Sequence, residues 1–380
     1  MKNVFITTGC LIALLFFPIG QCFAECEGNL DLDRDIDGND LKILIGDFGR
    51  TDCGILTPCR GDIYPVGDPD DVVDGSDLEL FAADFGREDC ELPVPINLFN
   101  IGDSIGEAEA ADGSIGDPNH DTVWSTGYNP GDIVYSINER FEDLEPIRYT
   151  ENNMDRDPTF NIALSGSEMI NFASQAAAVV AAARTVPYRR AGMVTILLGN
   201  NDVCAETMDD MTPLNDFEED YRAGLEILAN SEFTSRATIH VSGIPAIYWL
   251  WNAKRTDFLC WFVIWPFVPC ENLLDNPREL CAKENSHLDP DNIDPTDDGT
   301  CLRRKQFHAK IRDFYNPKLR DLVLEYRMNG RLPNAYYVDI YDIEFFDNHV
   351  NDGDCFHPSI EGHELLAEEE WLRTPWGMEE

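Results

Sequence analysis

The sequence predicts an α/β domain, a parallel sheet with helices on both faces, preceded by a small all-α domain. From residue 96 onward, short apolar runs typical of buried strands alternate with helical stretches, which is the pattern of a parallel sheet. Before residue 91 the chain repeats itself at an offset of 37 residues. Each copy is an acidic loop followed by a short helix, so this part is predicted to be a pair of similar units.

Composition and charge indicate an exported protein. Lys2, the apolar residues 10–19 and the small Ala24 predict a signal peptide over residues 1–24, and the apolar run is too short to span a membrane. Ten of the 12 cysteines follow it, four before residue 91 and six after, as disulfides in an oxidising compartment require. The net charge of −43 argues against nucleic acid or an anionic membrane as a partner. We therefore expect a secreted protein whose acidic surface suits calcium binding or high salt.

The repeat predicts two calcium loops, each followed by a helix, over Leu41–Phe48 and Leu78–Phe85. Calcium takes about six to eight oxygen ligands, and alternating Asp or Asn in a tight loop turn their side chains to one centre. Ile36 takes a buried position, and Asp37 is expected to act through water. An alternative alignment of the first loop would place Leu44 at its last ligand position, and it is rejected because a leucine side chain cannot bind calcium. The predicted ligands are Asn29, Asp31, Asp33, the carbonyl of Asp35 and Asp40 in the first loop, and Asp62, Asp68, Asp70, the carbonyl of Val72 and Asp77 in the second.

On these residues the segment 25–90 resembles a dockerin, a paired, EF-hand-like calcium module. The resemblance implies structural Ca²⁺ and docking to a cohesin on a scaffold protein or cell surface. The sequence departs from the dockerin pattern at Arg34 and Asp71. This loop position is usually a glycine, because its backbone has a positive φ. The pair of residues that reads the cohesin also differs, so a calcium-stiffened spacer remains an alternative. Residues 91–95, with two prolines, predict an extended linker.

The second domain is predicted over residues 96–380, and its elements follow from apolar runs and helical periodicity. The predicted strands are Ile96–Ile101, Phe160–Leu164, Met193–Leu198, Thr238–Ser242 and Tyr336–Ile340. The predicted helices are Glu168–Arg184, Asp216–Ala229, Leu302–Tyr326 and Ser359–Leu372.

Four polar blocks occur in order along this domain. Three follow the first three predicted strands, and in parallel sheets the carboxyl ends of the strands share one edge. Together they supply a nucleophile, a spare backbone N–H, an amide donor and a base with its carboxylate, which suits ester hydrolysis. The blocks are Gly102-Asp103-Ser104, Ser165-Gly166-Ser167, Gly199-Asn200-Asn201-Asp202 and Asp354-Cys355-Phe356-His357.

On these blocks the domain resembles the SGNH (GDSL-type) hydrolases over about residues 96–375. The resemblance implies a flavodoxin-like, three-layer α/β/α fold and catalysis without a cofactor. It assigns Ser104, His357 and Asp354 to a catalytic triad, and the oxyanion hole to the backbone N–H groups of Ser104 and Gly166 and the amide of Asn201. Ser104 follows Asp103, so it does not lie in a Gly-x-Ser-x-Gly elbow.

Several residues compete for these roles. His363 is predicted on the exposed side of the last helix, and Asp352 fits the histidine less well than Asp354 does. Asp103 and Asp202 are predicted to brace the loops around the site. The acidic stretch of Asp289, Asp291, Asp294, Asp297 and Asp298 is predicted to be a solvated insertion, with a further calcium site as the alternative.

The aromatic segment Phe258–Pro269 bears on the substrate. It is predicted to form a local mini-core, with a pocket wall or lid for an apolar group as the alternative. The dockerin-like segment favours a carbohydrate ester, whereas the aromatic segment and the third and fourth blocks favour a lipase or lysophospholipase. A non-catalytic calcium-dependent adhesion or scaffold protein is the third hypothesis.

Overall fold

The computed structural model describes residues 26, 28–30, 35–53, 59, 61–64, 70–88, 90, 94–129, 131–144, 160–186, 189–275, 278–280 and 299–377. The chain divides into two compact units, Met1–Pro93 and Val94–Glu380. Within these described ranges, no helix has the length and apolar character needed to cross a membrane. The predicted signal peptide, the ligands Asp31, Asp33 and Asp68, and the acidic insertion lie outside them.

Two helices, α1 (Gly38–Asp47) and α2 (Gly75–Asp84), form the first unit's regular structure. Each begins at a glycine rather than at the leucine that the sequence predicted. The reason is the preceding aspartate, Asp37 or Asp74, whose side chain accepts a backbone N–H of the first turn. The aspartate three residues further on bonds back to that N-cap, so each helix starts in a capping box.

The two copies of the repeat contact each other in the same way. Ile36 exchanges two backbone hydrogen bonds, of 2.9 and 2.8 Å, with the residues that follow α2. Val73 exchanges two, of 3.0 and 2.8 Å, with the residues that follow α1. Both side chains are fully buried and pack with Leu44 and Phe81 in one small core. Disulfides Cys26–Cys90 and Cys53–Cys59 close this unit, whose core alone is too small to provide much stability.

The second unit contains a parallel four-stranded sheet in the order β1-β2-β3-β4. The first two strands are buried along their whole length, as expected for a sheet covered on both faces. In the register, Gly102 at the end of β1 lies beside Leu197 at the end of β2. The segments that follow these strands therefore leave the sheet at one edge. The strands are β1 Leu98–Gly102, β2 Met193–Leu197, β3 Thr238–Ser242 and β4 Ala335–Val338.

Helices connect the strands, and the mixed α/β arrangement fits the three-layer fold expected of SGNH hydrolases. The α-helices of this unit are α3 Ile137–Leu144, α4 Phe172–Ala183, α5 Asn200–Val203, α6 Leu214–Ala229, α7 Tyr248–Lys254, α8 Glu271–Leu274, α9 Gly299–Lys310, α10 Asn316–Met328 and α11 Ile360–Leu372. The 3₁₀ turns are His120–Thr122, Met169–Asn171, Trp265–Phe267 and Asp347–His349, and the π-helical turns are Cys260–Ile264 and Ile311–Tyr315.

Two predicted elements differ in the structure. Residues 160–164 run beside β1 with backbone hydrogen bonds at both ends, but only Asn161 forms a bridge, with Asn100, so the predicted second strand is wrong. The Asn161 side chain accepts the N–H of Ala163 at 3.2 Å, so this stretch makes local side-chain contacts in place of a regular strand, although Leu164 still donates to the Gly102 carbonyl at 3.1 Å. The predicted helix Leu302–Tyr326 is two α-helices, α9 and α10, separated by the π-helical turn Ile311–Tyr315, because Pro317 has no N–H to continue a regular helix.

Candidate active site

Ser104 lies two residues beyond the end of β1 and is held there by Asp103. The buried Asp103 carboxylate accepts the N–H of Ile105 at 3.0 Å and the side-chain amide of Asn200 at 2.9 Å. Burial raises the pKa of Asp103 to about 6, with these hydrogen bonds opposing the rise. Asp103 thus joins the first and third blocks, and it has the bracing role that the sequence predicted.

The first and fourth blocks meet at a chain of three side chains. His357 Nε2 lies 2.8 Å from the Ser104 hydroxyl, and its Nδ1 lies 2.7 Å from the Oδ2 of Asp354. The other Asp354 oxygen accepts the backbone N–H groups of Phe356 and His357, each at 3.0 Å. Its carboxylate is therefore fixed before it contacts the imidazole. This order of hydroxyl, imidazole and carboxylate is the arrangement that activates a serine.

The pKa of His357 reflects opposing effects. Burial lowers it, and the hydrogen bond and negative charge of Asp354 raise it, with further contributions from the charges of Glu109 and Asp103. The net direction is upward from the ordinary value of 6.5. The environment therefore favours the imidazolium, the form that appears after the serine loses its proton.

Three donors lie on the loops around Ser104. Gly166 adopts φ 74°, and no atom lies near the Cβ that another residue would add, so conformation rather than space requires glycine here. Among the described residues, the N–H groups of Ser104 and Gly166 have no acceptor. The Asn201 amide donates to the Ser167 carbonyl at 2.9 Å, which orients it and leaves its second N–H for another acceptor. Asp202 accepts the N–H of Met169 at 2.7 Å, joining the second and third blocks.

Two competing residues lie elsewhere. His363 is fully buried in α11, so its predicted exposed position is wrong; it belongs to the face of that helix that also buries Leu366, Ala367, Glu370 and Trp371. Asp352 pairs instead with the buried Lys254 at 2.5 Å, an interaction shared with Asp347 at 3.0 Å. Neither residue contacts Ser104.

The aromatic segment is attached to the site by two disulfides that the sequence did not assign. Cys260 is bonded to Cys355, the residue between Asp354 and Phe356, and Cys270 is bonded to Cys204, which follows α5. Cys355 adopts φ 58°, a conformation uncommon for residues other than glycine. The sequence did contain a signal for this attachment: Cys355 lies inside the fourth polar block, and Cys204 lies two residues after the third. Segment 260–270 is thereby tied to the loops that carry His357 and Asn201.

Comparison with known families agrees with this geometry. A family model described as GDSL-like Lipase/Acylhydrolase matches residues 98–370. The chain belongs to this family. It is therefore a member of a family of ester-bond hydrolases, which leaves the hypothesis of a non-catalytic adhesion protein without support. No curated protein matches the chain.

The acidic residues of the first unit form two groups. Oxygens of Asp35, Asp37 and Asp40 lie within 4.8 Å of one another. Asp40 is fully buried and accepts the N–H groups of Leu30 at 2.6 Å and Asp37 at 2.8 Å. Asn29 is also buried, near the start of the same loop.

In the second group, burial and the charges of Asp77 and Asp70 raise the pKa of Asp62. One buried Asp62 oxygen has no hydrogen-bond partner among the described residues. Asp71 adopts φ 65°, the conformation for which the usual glycine is selected, and Val72 follows it. Crowded carboxylates with an unsatisfied oxygen fit a hard cation such as Ca²⁺.

Proposed function

We propose that this protein is a secreted serine ester hydrolase that uses Ser104, His357 and Asp354. The observation that carries the proposal is the pair of hydrogen bonds, 2.8 and 2.7 Å, that links the three side chains. His357 takes the proton of Ser104 as its oxygen attacks the ester carbonyl, and returns it to the departing alcohol. Asp354 orients the imidazole and stabilises its charged form. Water then hydrolyses the acyl-serine by the same steps.

The oxyanion of each tetrahedral intermediate is bound by the backbone N–H groups of Ser104 and Gly166 and by the Asn201 amide. All three donors lie on loops braced by buried aspartates, so they are oriented before the substrate arrives. Such preorganised donors stabilise charge that develops only during the reaction.

The sign of the His357 pKa shift gives a pH prediction. Catalysis needs neutral His357, so a raised pKa moves the acidic limb of kcat/KM to a pH above 6.5, and activity falls as pH drops through it. Glu109→Gln removes one negative charge, and we expect the limb to move to lower pH. Glu107→Gln is the matched control, because both glutamates bond to Ser165.

Steady-state rates on a soluble ester between pH 5 and 9 would measure these limbs. An unchanged limb in Glu109→Gln, or an equal shift in the control, would contradict the role of the Glu109 charge.

The first unit is proposed to be a dockerin-like module that binds structural Ca²⁺ and targets the enzyme to a cohesin-bearing scaffold or surface. The duplicated contacts, the crowded carboxylates and the positive φ of Asp71 support it. The disulfides support export to an oxidising compartment. Such targeting favours the ester of a carbohydrate polymer as the substrate.

Calcium binding is tested by calorimetric titration of the full chain. We expect two sites, one per loop, and a lower Tm of the first unit in chelator, because the cation relieves carboxylate repulsion only in the folded state. Asp62→Asn should weaken one site. Glu79→Gln, an exposed change on α2, should leave both intact. An absence of binding heat, or an Asp62→Asn variant that binds calcium at both sites as the parent does, would contradict the proposal.

A lipid ester is the second candidate substrate, favoured by the exposed phenylalanines of the disulfide-bound aromatic segment. Rates on p-nitrophenyl acetate, an acetylated polysaccharide and a long-chain ester separate the candidates. A preference for the long chain would exclude the carbohydrate ester. A lack of hydrolysis of all three would count against the proposed function.

A further inference from the structure

The segment Phe258–Cys270 has one buried side and one exposed side. Cys260, Trp265 and Cys270 are buried, and Trp265 packs edge-on against Phe356, whose ring in turn lies 5.4 Å from that of His357. The exposed side chains form a set that we name the aromatic patch: Phe258, Leu259, Phe262, Val263 and Phe267.

The aromatic patch is unusually apolar for a solvent-facing surface of this chain. Phe267 is 86% exposed and Phe258 is 65% exposed, and the rings of Phe258 and Phe262 stack at 5.2 Å. The segment carries no charged side chain, whereas the whole chain has a net charge of −43. Exposed apolar clusters of this kind mark contacts with a partner or a membrane.

The chemistry of the patch selects its occupant. Its five side chains offer no hydrogen-bond donor or acceptor, which suits acyl chains and does not suit the hydroxyl groups of a sugar. The acidic chain repels anionic lipid. The Arg278 guanidinium lies over the Trp261 ring at 4.1 Å, so a cation is available at the edge of the segment for a lipid phosphate.

We infer that the aromatic patch binds the surface of zwitterionic phospholipid and thereby brings the active site to a lipid–water interface. The inference rests on the proposed function in its lipid-ester form. The two disulfides matter here, because they hold the segment to the loops bearing His357 and Asn201. When the patch enters the lipid, the loops of the site are thereby held next to the lipid surface, which shortens the path of an ester to Ser104.

The test is flotation of the full chain with phosphatidylcholine vesicles, in the Ser104→Ala background so that no lipid is hydrolysed. Phe258→Ser, Phe262→Ser and Phe267→Ser combined should weaken binding about a hundredfold, since each removes a large apolar side chain from the lipid. The matched control combines Leu144→Ser, Leu324→Ser and Met328→Ser, which are exposed apolar residues on other helices. It should bind as the parent does.

The result is independent of catalysis. With Ser104 restored, the patch variant should hydrolyse p-nitrophenyl acetate at the parent rate but lose activity on ester dispersed in vesicles. A parent that does not float, or a patch variant that floats equally, would overturn the inference whether or not the protein is active. Retention on insoluble polysaccharide through the same three phenylalanines, without vesicle binding, would instead make the segment a sugar-stacking surface.

Discussion

Ser104→Ala is expected to lower kcat on a soluble ester by about 10⁴- to 10⁶-fold, the range for removing a triad nucleophile. Without the hydroxyl, no acyl-enzyme forms, and only the oxyanion donors and substrate binding remain. KM should change little, because the side chain that is lost contacts His357 at 2.8 Å and holds no other part of the site. Steady-state rates of both proteins at equal concentrations of folded protein measure the effect.

Ser165→Ala is the matched control for this variant. Its hydroxyl lies on the oxyanion loop and bonds to Glu109, not to His357, so we expect rates within about tenfold of the parent. Ser104→Ala should retain the parent Tm, because the change removes one hydroxyl and its hydrogen bond to His357. A variant that kept a tenth or more of the parent rate would contradict Ser104 as the nucleophile.

The triad should also behave as a unit. If His357 serves only to activate Ser104, then the double variant Ser104→Ala/His357→Ala should lose about as much kcat as either single variant does. Additive losses would indicate that His357 contributes through a separate route, such as binding the substrate.

The sequence predicted the parts of the molecule that local patterns determine. Strands β1, β2 and β3 follow from apolar runs that are buried on both sides, and their common edge brings the first and third blocks together. The short distances from Ser104 to His357 and from His357 to Asp354 agree with the order of blocks along the chain. These features could be predicted because they depend on the hydrophobic periodicity of the strands and on the spacing of the polar blocks.

Other features depend on contacts between distant segments. Burial of His363 depends on which side of α11 faces the core, and that helix has apolar and acidic residues spread around it. The bond between Cys260 and Cys355 joins residues 95 apart, and six cysteines allow about 15 pairings. No local pattern distinguishes these outcomes. The structure was needed to attach the aromatic segment to the site.

Asp354→Asn is expected to lower kcat by about 10⁴-fold while leaving the loop folded. The asparagine oxygen can keep the N–H groups of Phe356 and His357, so the backbone contacts at 3.0 Å survive. The amide nitrogen then faces Nδ1 of His357 and donates to it. That places the ring proton on Nε2, which points at Ser104, so the histidine can no longer accept the serine proton.

Asp352→Asn is the control that separates the two aspartates. Its side chain is almost fully exposed and pairs with Lys254, which keeps Asp347 as a partner, so we expect a loss of about tenfold or less. Both variants keep the size of the side chain, and both lie in the same loop. The two variants differ in the contact that they remove. Only Asp354→Asn removes the carboxylate oxygen that lies 2.7 Å from Nδ1 of His357. A larger loss in Asp352→Asn than in Asp354→Asn would therefore mean that the loop rearranges during catalysis and that Asp352 orients the base.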